Sequence, residues 1–413
     1  MKFSYWISRR ISLRHGATAG SATGAVIAVA GVALALMVME LSIAVSVGFK
    51  HEIRRKLAGF EAPVSVLPGY NYDTRMLDAE MTVEPELLNV IEEAAPGCNV
   101  VKSVTRRAIL KTEDNFVTVE CLSHDANHDD TFERGNVTSG HWPDMNASGD
   151  SVVISEKIAA LMDIGVGERT FLYFFVDGRV RVRRAVIAGL YDSSFGEFDS
   201  SVIYAPFKTL QSLGDSAGVT SLDIENVTID DAPIISARIN EALTKAAANG
   251  TLSNVYPVTD ITERGQMYLT WLDLLDTNVV VILALLLCVA AFTLISSLFI
   301  LILDHVSTIG LLRALGASSG VVSRIFVNMA MRLVGLGLLI GNILGLGVAI
   351  AQYYTHFIPL DPEMYYLSYV PVEFPWLLQL YLNIGVIIGA WLILILPARL
   401  AARIDPASTM RYE

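Results

Sequence analysis

The chain has 413 residues, of which 53% are hydrophobic and only 17% are charged, and its mean hydropathy is +0.49. Soluble domains carry about a quarter of their residues as Asp, Glu, Lys and Arg, so this composition excludes an ordinary soluble enzyme and a disordered chain. The net charge of −12 argues against a nucleic-acid partner, and three cysteines are too few for a disulfide framework. The composition predicts an integral membrane protein.

Four apolar segments are long enough to cross a bilayer, which takes about 20 helical residues. They are predicted at residues 17–48, 271–303, 323–352 and 376–397. A cleaved signal peptide is the alternative for the first segment, but its apolar run is about twice the length of a typical signal-peptide core. We therefore predict an uncleaved first span, in which Glu40 is the only charged residue.

The basic residues predict the orientation of these spans. Short loops rich in Lys and Arg stay in the cytoplasm. The segment before the first span has four basic residues and no acid, and the link between spans three and four has no Lys or Arg. Both termini are therefore predicted to be cytoplasmic; a bacterial inner membrane is what the family resemblance given below implies. The long segment 49–270 is then external.

The external segment carries 20 basic and 33 acidic residues, so the acidity of the chain belongs to it. Alternating helix and strand patterns predict an α+β domain with stalk helices at both ends; its porter-like and sabre-like type is what the family resemblance given below implies. Asp177-Gly178 is a strong hairpin signal. The predicted strands are residues 62–67, 100–105, 116–122, 172–176, 180–185 and 221–229. One predicted helix follows Val83, with Pro85 in its first turn, and another spans 232–248.

The complete predicted organisation alternates cytoplasmic, membrane and periplasmic segments. In chain order these are a basic N-terminal segment 1–16, span one 17–48, the periplasmic domain 49–270, span two 271–303, a cytoplasmic helix 304–322, span three 323–352, a periplasmic loop 353–375, span four 376–397 and a cytoplasmic tail 398–413.

The motifs of catalysis and cofactor binding are missing from the sequence. It has no phosphate-binding loop of the Walker type and no H-E-x-x-H. We therefore predict no enzyme activity and no cofactor in this chain. Cys121, His124 and His128, with Asp125, Asp129 and Asp130 nearby, are of ligand types that suit zinc, but we predict a solvated acidic loop and no metal. A bridge between Cys98 and Cys121 is left open.

Two features of the spans suggest helix packing. Gly337, Gly341 and Gly345 repeat every fourth residue in span three, a spacing that lets membrane helices approach closely. Glu40 is costly in a span and faces either protein or a water-filled path. Lining a substrate path and hydrogen bonding between helices both remain open for its carboxyl group.

The link between spans two and three predicts a short amphipathic helix that ends at Gly316. Ile309, Leu312 and Leu315 fall roughly on one apolar face of it. Such a face on a cytoplasmic loop has to pack on something. The alternatives are the tail of the chain, the lipid surface or a cytoplasmic partner.

Several segments resemble one family of permeases. Residues 309–318 are similar to the coupling helix of FtsX-like ABC permeases, and residues 289–298 resemble the second span of the lipoprotein-releasing permeases LolC and LolE. Residues 48–60 match the exit of span one in that family, and residues 360–372 and 397–413 echo the stretches that flank its span four. The periplasmic domain matches in outline only.

This resemblance implies a permease that works as a dimer with a second copy or a diverged sibling, above a separate LolD-like ATPase that holds ATP and Mg. Lipoprotein would be extracted from the outer leaflet and passed to a periplasmic LolA-like carrier. The implied coupling helix comprises Ser307, Ile309, Gly310, Leu311, Leu312, Arg313, Ala314, Leu315 and Gly316. The implied substrate cavity comprises Met37, Glu40, Leu41, Ala44, Phe292 and Leu298. The hairpin residues Asp177, Gly178, Arg179 and Arg181 are the implied carrier contact, although the chain has only a tight turn where the family has a hook.

Two other branches of the superfamily remain as alternatives. One is a mechanotransmitting permease that controls an external cell-wall hydrolase, a branch with a much smaller external domain. The other is a MacB-like efflux permease, a branch that often carries a fused ATPase domain, which this sequence lacks.

Overall fold

A computed structural model describes residues 19–69, 80–176, 178–214 and 218–401. The basic segment 1–16 predicted from sequence therefore lies outside the described residues, as does most of the tail. The helices in chain order are α1 Ala19–Phe60, α2 Pro85–Ala94, α3 Thr131–Gly135, α4 Glu156–Met162, α5 Gly196–Ser201, α6 Phe207–Gln211, α7 Ala232–Ala248, α8 Ile261–Arg264, α9 Gln266–Asp304, α10 Val306–Ala314, α11 Ser319–Thr355, α12 Pro362–Tyr365 and α13 Trp376–Ala401. The strands are β1 Val64–Val66, β2 Asn99–Lys111, β3 Phe116–His124, β4 Val137–Gly140, β5 Ser151–Ser155, β6 Arg169–Val176, β7 Arg179–Tyr191, β8 Val202–Tyr204, β9 Ser221–Glu225 and β10 Val258–Asp260.

Four of the described helices are long and apolar enough to cross a membrane: α1, α9, α11 and α13. The α+β part of the chain lies between the first and the second of them. The predicted fold class is thereby confirmed. At 1.5 Å per residue the 42 residues of α1 extend for about 63 Å, roughly twice the thickness of the hydrocarbon core.

The chain divides into two compact units. The membrane unit contains residues 1–50, 272–359 and 370–413, and the ectodomain unit contains residues 51–271 and 360–369. Leu36, Leu298, Phe326 and Leu394, one from each long helix, belong to the buried apolar cluster of the membrane unit. The side chains on the opposite faces, such as those of α9, stay largely exposed, as expected for helices that face lipid.

The ectodomain unit is built on one mixed ten-stranded sheet. Its strand order is β10-β1-β9-β2-β3-β8-β5-β7-β4, with β6 paired to both β2 and β7. The β3/β8 and β5/β7 pairs are parallel, and the other strand pairs are antiparallel. The helices α2 and α7 pack against each other, and α7 also packs on β1 and β10.

An aromatic cluster holds the end of α1 in the ectodomain unit. The ring of Phe60 lies 4.5 Å from that of Phe198 and 5.1 Å from that of Phe132, measured between centroids. Gly59 makes this approach possible, because a Cβ atom there would stand 2.5 Å from the Phe132 ring. Gly59 and Phe60, which end the stretch 48–60 that matches the family's exit from span one, are thus packing requirements.

Residues 360–369, which follow span three, join the same cluster. The Tyr366 ring lies 5.2 Å from that of Phe195 and 5.4 Å from that of Tyr268. The Tyr366 backbone has a φ of +59°, which is rare for a bulky residue. Its carbonyl oxygen accepts a hydrogen bond of 3.2 Å from Lys56 Nζ, which also donates to Ser193. Ring packing and this hydrogen bond together hold the strained backbone.

The predicted strands and helices are found, with different ends. The strand predicted at 221–229 stops at Glu225, because Asn226 adopts a left-handed φ of +62°. The strand predicted at 100–105 continues to Lys111, where it still pairs with Phe116 of β3. The helix predicted at 232–248 is α7, with the same bounds. Strands β4, β5, β8 and β10 were not predicted from sequence, because three to five residues carry too little periodicity.

We expect Gly59→Ala to destabilise the ectodomain unit by about 1–3 kcal/mol, because the added methyl group overlaps the Phe132 ring and forces the aromatic cluster apart. Denaturant unfolding of the purified chain, followed by tryptophan fluorescence, measures this. Gly135→Ala is the matched control, because a Cβ atom at Gly135 of α3 meets nothing within 4 Å. Equal stability of the two variants would contradict the packing role of Gly59.

Candidate functional site

The short helix α10 lies between α9 and α11, where the coupling helix was predicted. It ends in a Schellman motif: Gly316 N donates to Arg313 O at 2.9 Å, and Ala317 N donates to Leu312 O at 3.0 Å. Gly316 has a φ of +91°, which only glycine adopts without strain. The glycine therefore stops the helix and turns the chain into α11.

The apolar face of α10 differs from the prediction. Ile309 is 3% exposed and belongs to the apolar cluster of the membrane unit, with Val322 and Phe326 of α11. The exposed large side chains are instead Leu311 at 63% and Leu315 at 77%. The predicted face of Ile309, Leu312 and Leu315 is wrong, because the first turn of α10 packs on its own membrane helices. Leu311 and Leu315 lie one helical turn apart and form the exposed pair.

The other predicted coupling residues lie on the same short element. Ser307, Gly310 and Ala314 are part of α10, and Leu312 and Arg313 are half-buried. Arg313 has interactions within the chain. Its side chain is therefore engaged within the chain. The largest exposed apolar side chains of this segment are those of Leu311 and Leu315.

The glycine ridge of span three lies against α1. A Cβ atom on Gly337 would stand 2.8 Å from Val32, and one on Gly341 would stand 2.8 Å from the backbone oxygen of Ala33. At Gly345 the Cβ would stand 2.4 Å from a carboxylate oxygen of Glu40. The three glycines thus let α11 approach the backbone of α1.

Glu40 is 2% exposed, and among the described residues neither of its carboxylate oxygens has a hydrogen-bond partner. The structure therefore places this carboxyl group inside the α1–α11 contact. The side-chain amide of Asn383 in α13 lies close enough to interact with this carboxyl group. Lining a substrate path and hydrogen bonding between helices therefore both stay predictions. A different polar pair joins α11 and α13, where the amides of Asn342 and Asn383 exchange hydrogen bonds of 2.8 and 3.1 Å. The sequence analysis did not single out these asparagines.

The six residues predicted to line a substrate cavity lie on α1 and α9, and a cavity formed by these two spans of two subunits stays a prediction. Glu40, Ala44 and Leu298 are buried, Leu41 packs beside Ala44, and Phe292 is 72% exposed on the outer face of α9. Only Met37 lines an apolar groove between α1 and α11. Its other large lining residues are Val26, Val29, Leu34, Leu333, Leu336, Ile340 and Leu344.

The predicted hairpin is formed by β6 and β7, and Gly178 in its turn has a φ of +72°. Asp177 lies outside the described residues. Arg179 begins β7, and Arg181 lies on the same strand. One face of the hairpin exposes large apolar side chains, namely Phe171, Phe175, Val180 and Val182. The sequence analysis noted the arginines but missed this apolar face.

The histidine-containing loop is more ordered than a solvated acidic loop. The rings of His124 and His128 lie 4.0 Å apart. His128 Nδ1 lies 2.5 Å from Glu225, and its Nε2 lies 2.9 Å from Glu133. Cys121, which the sequence grouped with these histidines, is buried in β3, and its place in the cluster is taken by Glu133. All three cysteines are free.

The pKa of His128 is raised and that of His124 is lowered. Burial opposes a charge on His128, but hydrogen bonds to the carboxylates of Glu133 and Glu225 outweigh it and raise the pKa of His128 to about 10. Burial lowers the pKa of His124, and the neighbouring charge of His128 lowers it further. One imidazole is thus charged and the other neutral.

The loop after α11, part of which resembles the family's stretch before span four, is held by two contacts. The amide of Gln352, which is buried, donates to Val370 O at 3.0 Å and accepts from Ile358 N at 3.1 Å. Next along the loop, Pro371 packs against Gly48, where a Cβ atom would stand 2.7 Å from the Pro371 oxygen. This contact explains why residue 48 of α1 is a glycine.

Two family models match the chain. The model of the MacB-like periplasmic core domain matches residues 25–255, more than half of the chain. The model of the FtsX-like permease C-terminal domain matches residues 280–406, which include α10.

Characterised relatives are similar over nearly the whole chain. The lipoprotein-releasing system transmembrane protein LolC of Xylella fastidiosa strain 9a5c is 22% identical over 93% of this chain and 92% of its own length. LolE of Haemophilus influenzae is 23% identical over 92% of both chains. The periplasmic region of MacB from Actinobacillus actinomycetemcomitans is a structural neighbour with a TM-score of 0.32 and 14% identity, covering 50% of this chain and 91% of that one.

We expect Gly341→Ala to weaken the contact between α1 and α11, because the new methyl group meets the Ala33 backbone, which cannot rotate away. Overpacking of this kind costs about 1–3 kcal/mol. Thermal unfolding of the detergent-purified chain should show a lower Tm. Gly347→Ala in the same helix is the control, since a Cβ atom there meets nothing within 4 Å. A Tm for Gly341→Ala equal to that of the control would refute the close contact.

Proposed function

The chain belongs to the family of permeases that join a MacB-like periplasmic core domain to an FtsX-like C-terminal domain, and we propose that it is the subunit of an ABC transporter that releases lipoproteins from the inner membrane. Four apolar helices and the Lol relatives agree with a multi-pass protein of the inner membrane. The relatives named as parts of a lipoprotein-releasing system, similar over more than nine tenths of the chain, support the substrate class.

The observation that carries the transport mechanism is the exposed leucine pair of α10. Leu311 and Leu315 project from a helix whose first turn is fixed in the membrane unit through Ile309. An apolar pair of this kind on a polar surface suits a protein partner. We assign it to a cytoplasmic ATPase, which would supply ATP and Mg²⁺, because the sequence has no nucleotide-binding loop of its own. This assignment places α10 and both termini in the cytoplasm.

The apolar groove between α1 and α11 suits the acyl chains of a lipoprotein. It is lined almost entirely by apolar atoms, among them those of Met37, Leu336 and Ile340. A second permease copy, or a diverged sibling, would complete the path for the substrate. Extraction then requires movement of membrane helices driven by the ATPase, since nothing in an apolar groove provides energy by itself.

The β6–β7 hairpin is the proposed contact for a periplasmic lipoprotein carrier. Its exposed face combines Phe171, Phe175 and Val180 with the neighbouring Arg184, which lies directly across from Phe171. Aromatic side chains bordered by arginine are typical of protein interfaces. Carrier capture by this face would need no separate hook.

Leu315→Asp should release the ATPase without unfolding the permease, because Leu315 is largely exposed and a buried carboxylate at the interface has no partner. A hot-spot residue contributes about 2 kcal/mol or more, so recovery of the ATPase in a pull-down should fall by at least about tenfold. Leu161→Asp, which changes an equally exposed leucine of the ectodomain unit, is the control. Full ATPase recovery with Leu315→Asp would reject the α10 interface.

Depletion of the protein in its host distinguishes lipoprotein release from mechanotransmission to a cell-wall hydrolase. We expect outer-membrane lipoproteins to accumulate in the inner membrane, as measured by fractionation and immunoblotting, because their extraction stops. Complementation with the Leu161→Asp chain should restore sorting, and the Leu315→Asp chain should not. Chaining cells with normal lipoprotein sorting would favour the mechanotransmitter instead.

A further inference from the structure

Three side chains of the ectodomain unit bring metal-binding atoms together. His124 at the end of β3, His128 in the following loop and Glu133 in α3 have ligand atoms that all lie within 4.8 Å of one another. Two imidazoles and a carboxylate form a donor set that binds zinc in proteins, with a fourth position left for water. The three residues come from one short stretch of chain, which folds back because His128 N donates to Asp125 O.

Neighbouring groups fix the tautomer of His124. Ser103 Oγ donates its single proton to the carboxylate of Asp223, which can only accept. The contact of 2.7 Å between His124 Nδ1 and Ser103 Oγ therefore uses the imidazole proton. His124 Nε2 then carries the lone pair. Histidines that bind a metal through one ring nitrogen usually have the other ring nitrogen held by a hydrogen bond, which fixes the tautomer and the ring orientation.

His128 is oriented in the same way. Its Nδ1 lies 2.5 Å from Glu225, so a carboxylate orients the ring through that nitrogen. Its Nε2 faces Glu133 at 2.9 Å. Carboxylate–histidine pairs of this kind accompany zinc ligands because they hold the ring and raise its basicity.

The carboxyl group of Glu133 supplies an independent observation. Its side chain is only 4% exposed, and its Oε2 atom has no hydrogen-bond partner among the described residues. Leaving a buried carboxylate oxygen unpaired is costly. Glu133 also lines a narrow cavity with both histidines, beside the rings of Trp142 and Tyr204. A cation in this cavity would pair the orphaned oxygen.

We propose that His124 Nε2, His128 Nε2 and the Glu133 carboxylate bind one Zn²⁺ ion. Zinc would replace the proton that now lies between His128 and Glu133, so one proton leaves as the metal enters. The ion would tie β3, the loop and α3 together, and the Glu225 contact would extend the tie to β9. The fourth position would open toward the cavity and take water.

Metal loading of the full-length chain tests the proposal. Protein purified without a polyhistidine tag, stripped with a chelator and reloaded with Zn²⁺ should retain about one ion per chain by elemental analysis. Its Tm should rise with free zinc, because the ligand binds only the folded state. Co²⁺ should give the visible absorption of a four-coordinate site.

Three variants remove the proposed ligands: His124→Ala, His128→Ala and Glu133→Gln. Loss of an outer partner of a zinc ligand already costs about 10- to 100-fold in affinity, so each variant should bind zinc at least about 100-fold more weakly. His141→Ala changes an exposed histidine outside the cluster and should bind as the original chain does. Glu133→Gln keeps the shape of the side chain, which separates loss of metal from loss of fold.

Two results would overturn the proposal. One is a stripped and reloaded chain that retains no stoichiometric zinc and whose Tm does not respond to the metal. The other is equal zinc affinity in Glu133→Gln and His141→Ala. In either case the cluster is a charged histidine held between two carboxylates and no metal site.

Discussion

Close approach of other chain segments to the backbone of α1 is the constraint on which both units depend. In the membrane unit, Gly341 lies against Ala33, and Gly48 lies against Pro371. In the ectodomain unit, the Phe132 ring packs directly on the backbone at Gly59. Any Cβ atom at these positions would overlap its neighbour. Lipid offers membrane helices no hydrophobic driving force for association, so van der Waals contact at short range has to hold them together.

This packing also determines what α10 can present to a partner. Ile309 packs in the membrane unit, and the Schellman motif at Gly316 ends the helix about two turns later. Leu311 and Leu315 are left outside. A helix anchored at one end and exposed at the other moves with the membrane helices to which it is fixed. An ATPase bound to the leucine pair would therefore act on those helices directly.

Several buried charges of the ectodomain unit lie beside partners. Arg106 is 1% exposed and forms an ion pair with Glu80, and Asp223 accepts hydrogen bonds from Ser65 and Ser103. Buried charges are tolerated when they are paired. Among the described residues the Oε2 atom of Glu133 has no hydrogen-bond partner, as is also true of Nε and Nη1 of Arg106 and of Oγ of Ser123. The proposed zinc ion would pair the Glu133 oxygen. Asp223 links the two features, because its bond to Ser103 orients His124.

The sequence by itself determined the four spans, the α+β character of the external domain and the position of the short helix before Gly316, because apolar run length, periodicity and glycine conformation are local properties. The tertiary structure alone decided which face of α10 is exposed, since Ile309 is buried by helices that are distant in sequence. It alone joined Glu133 and Glu225 to the two histidines. It also placed the three glycines of α11 against α1, because only long-range packing determines which helices meet.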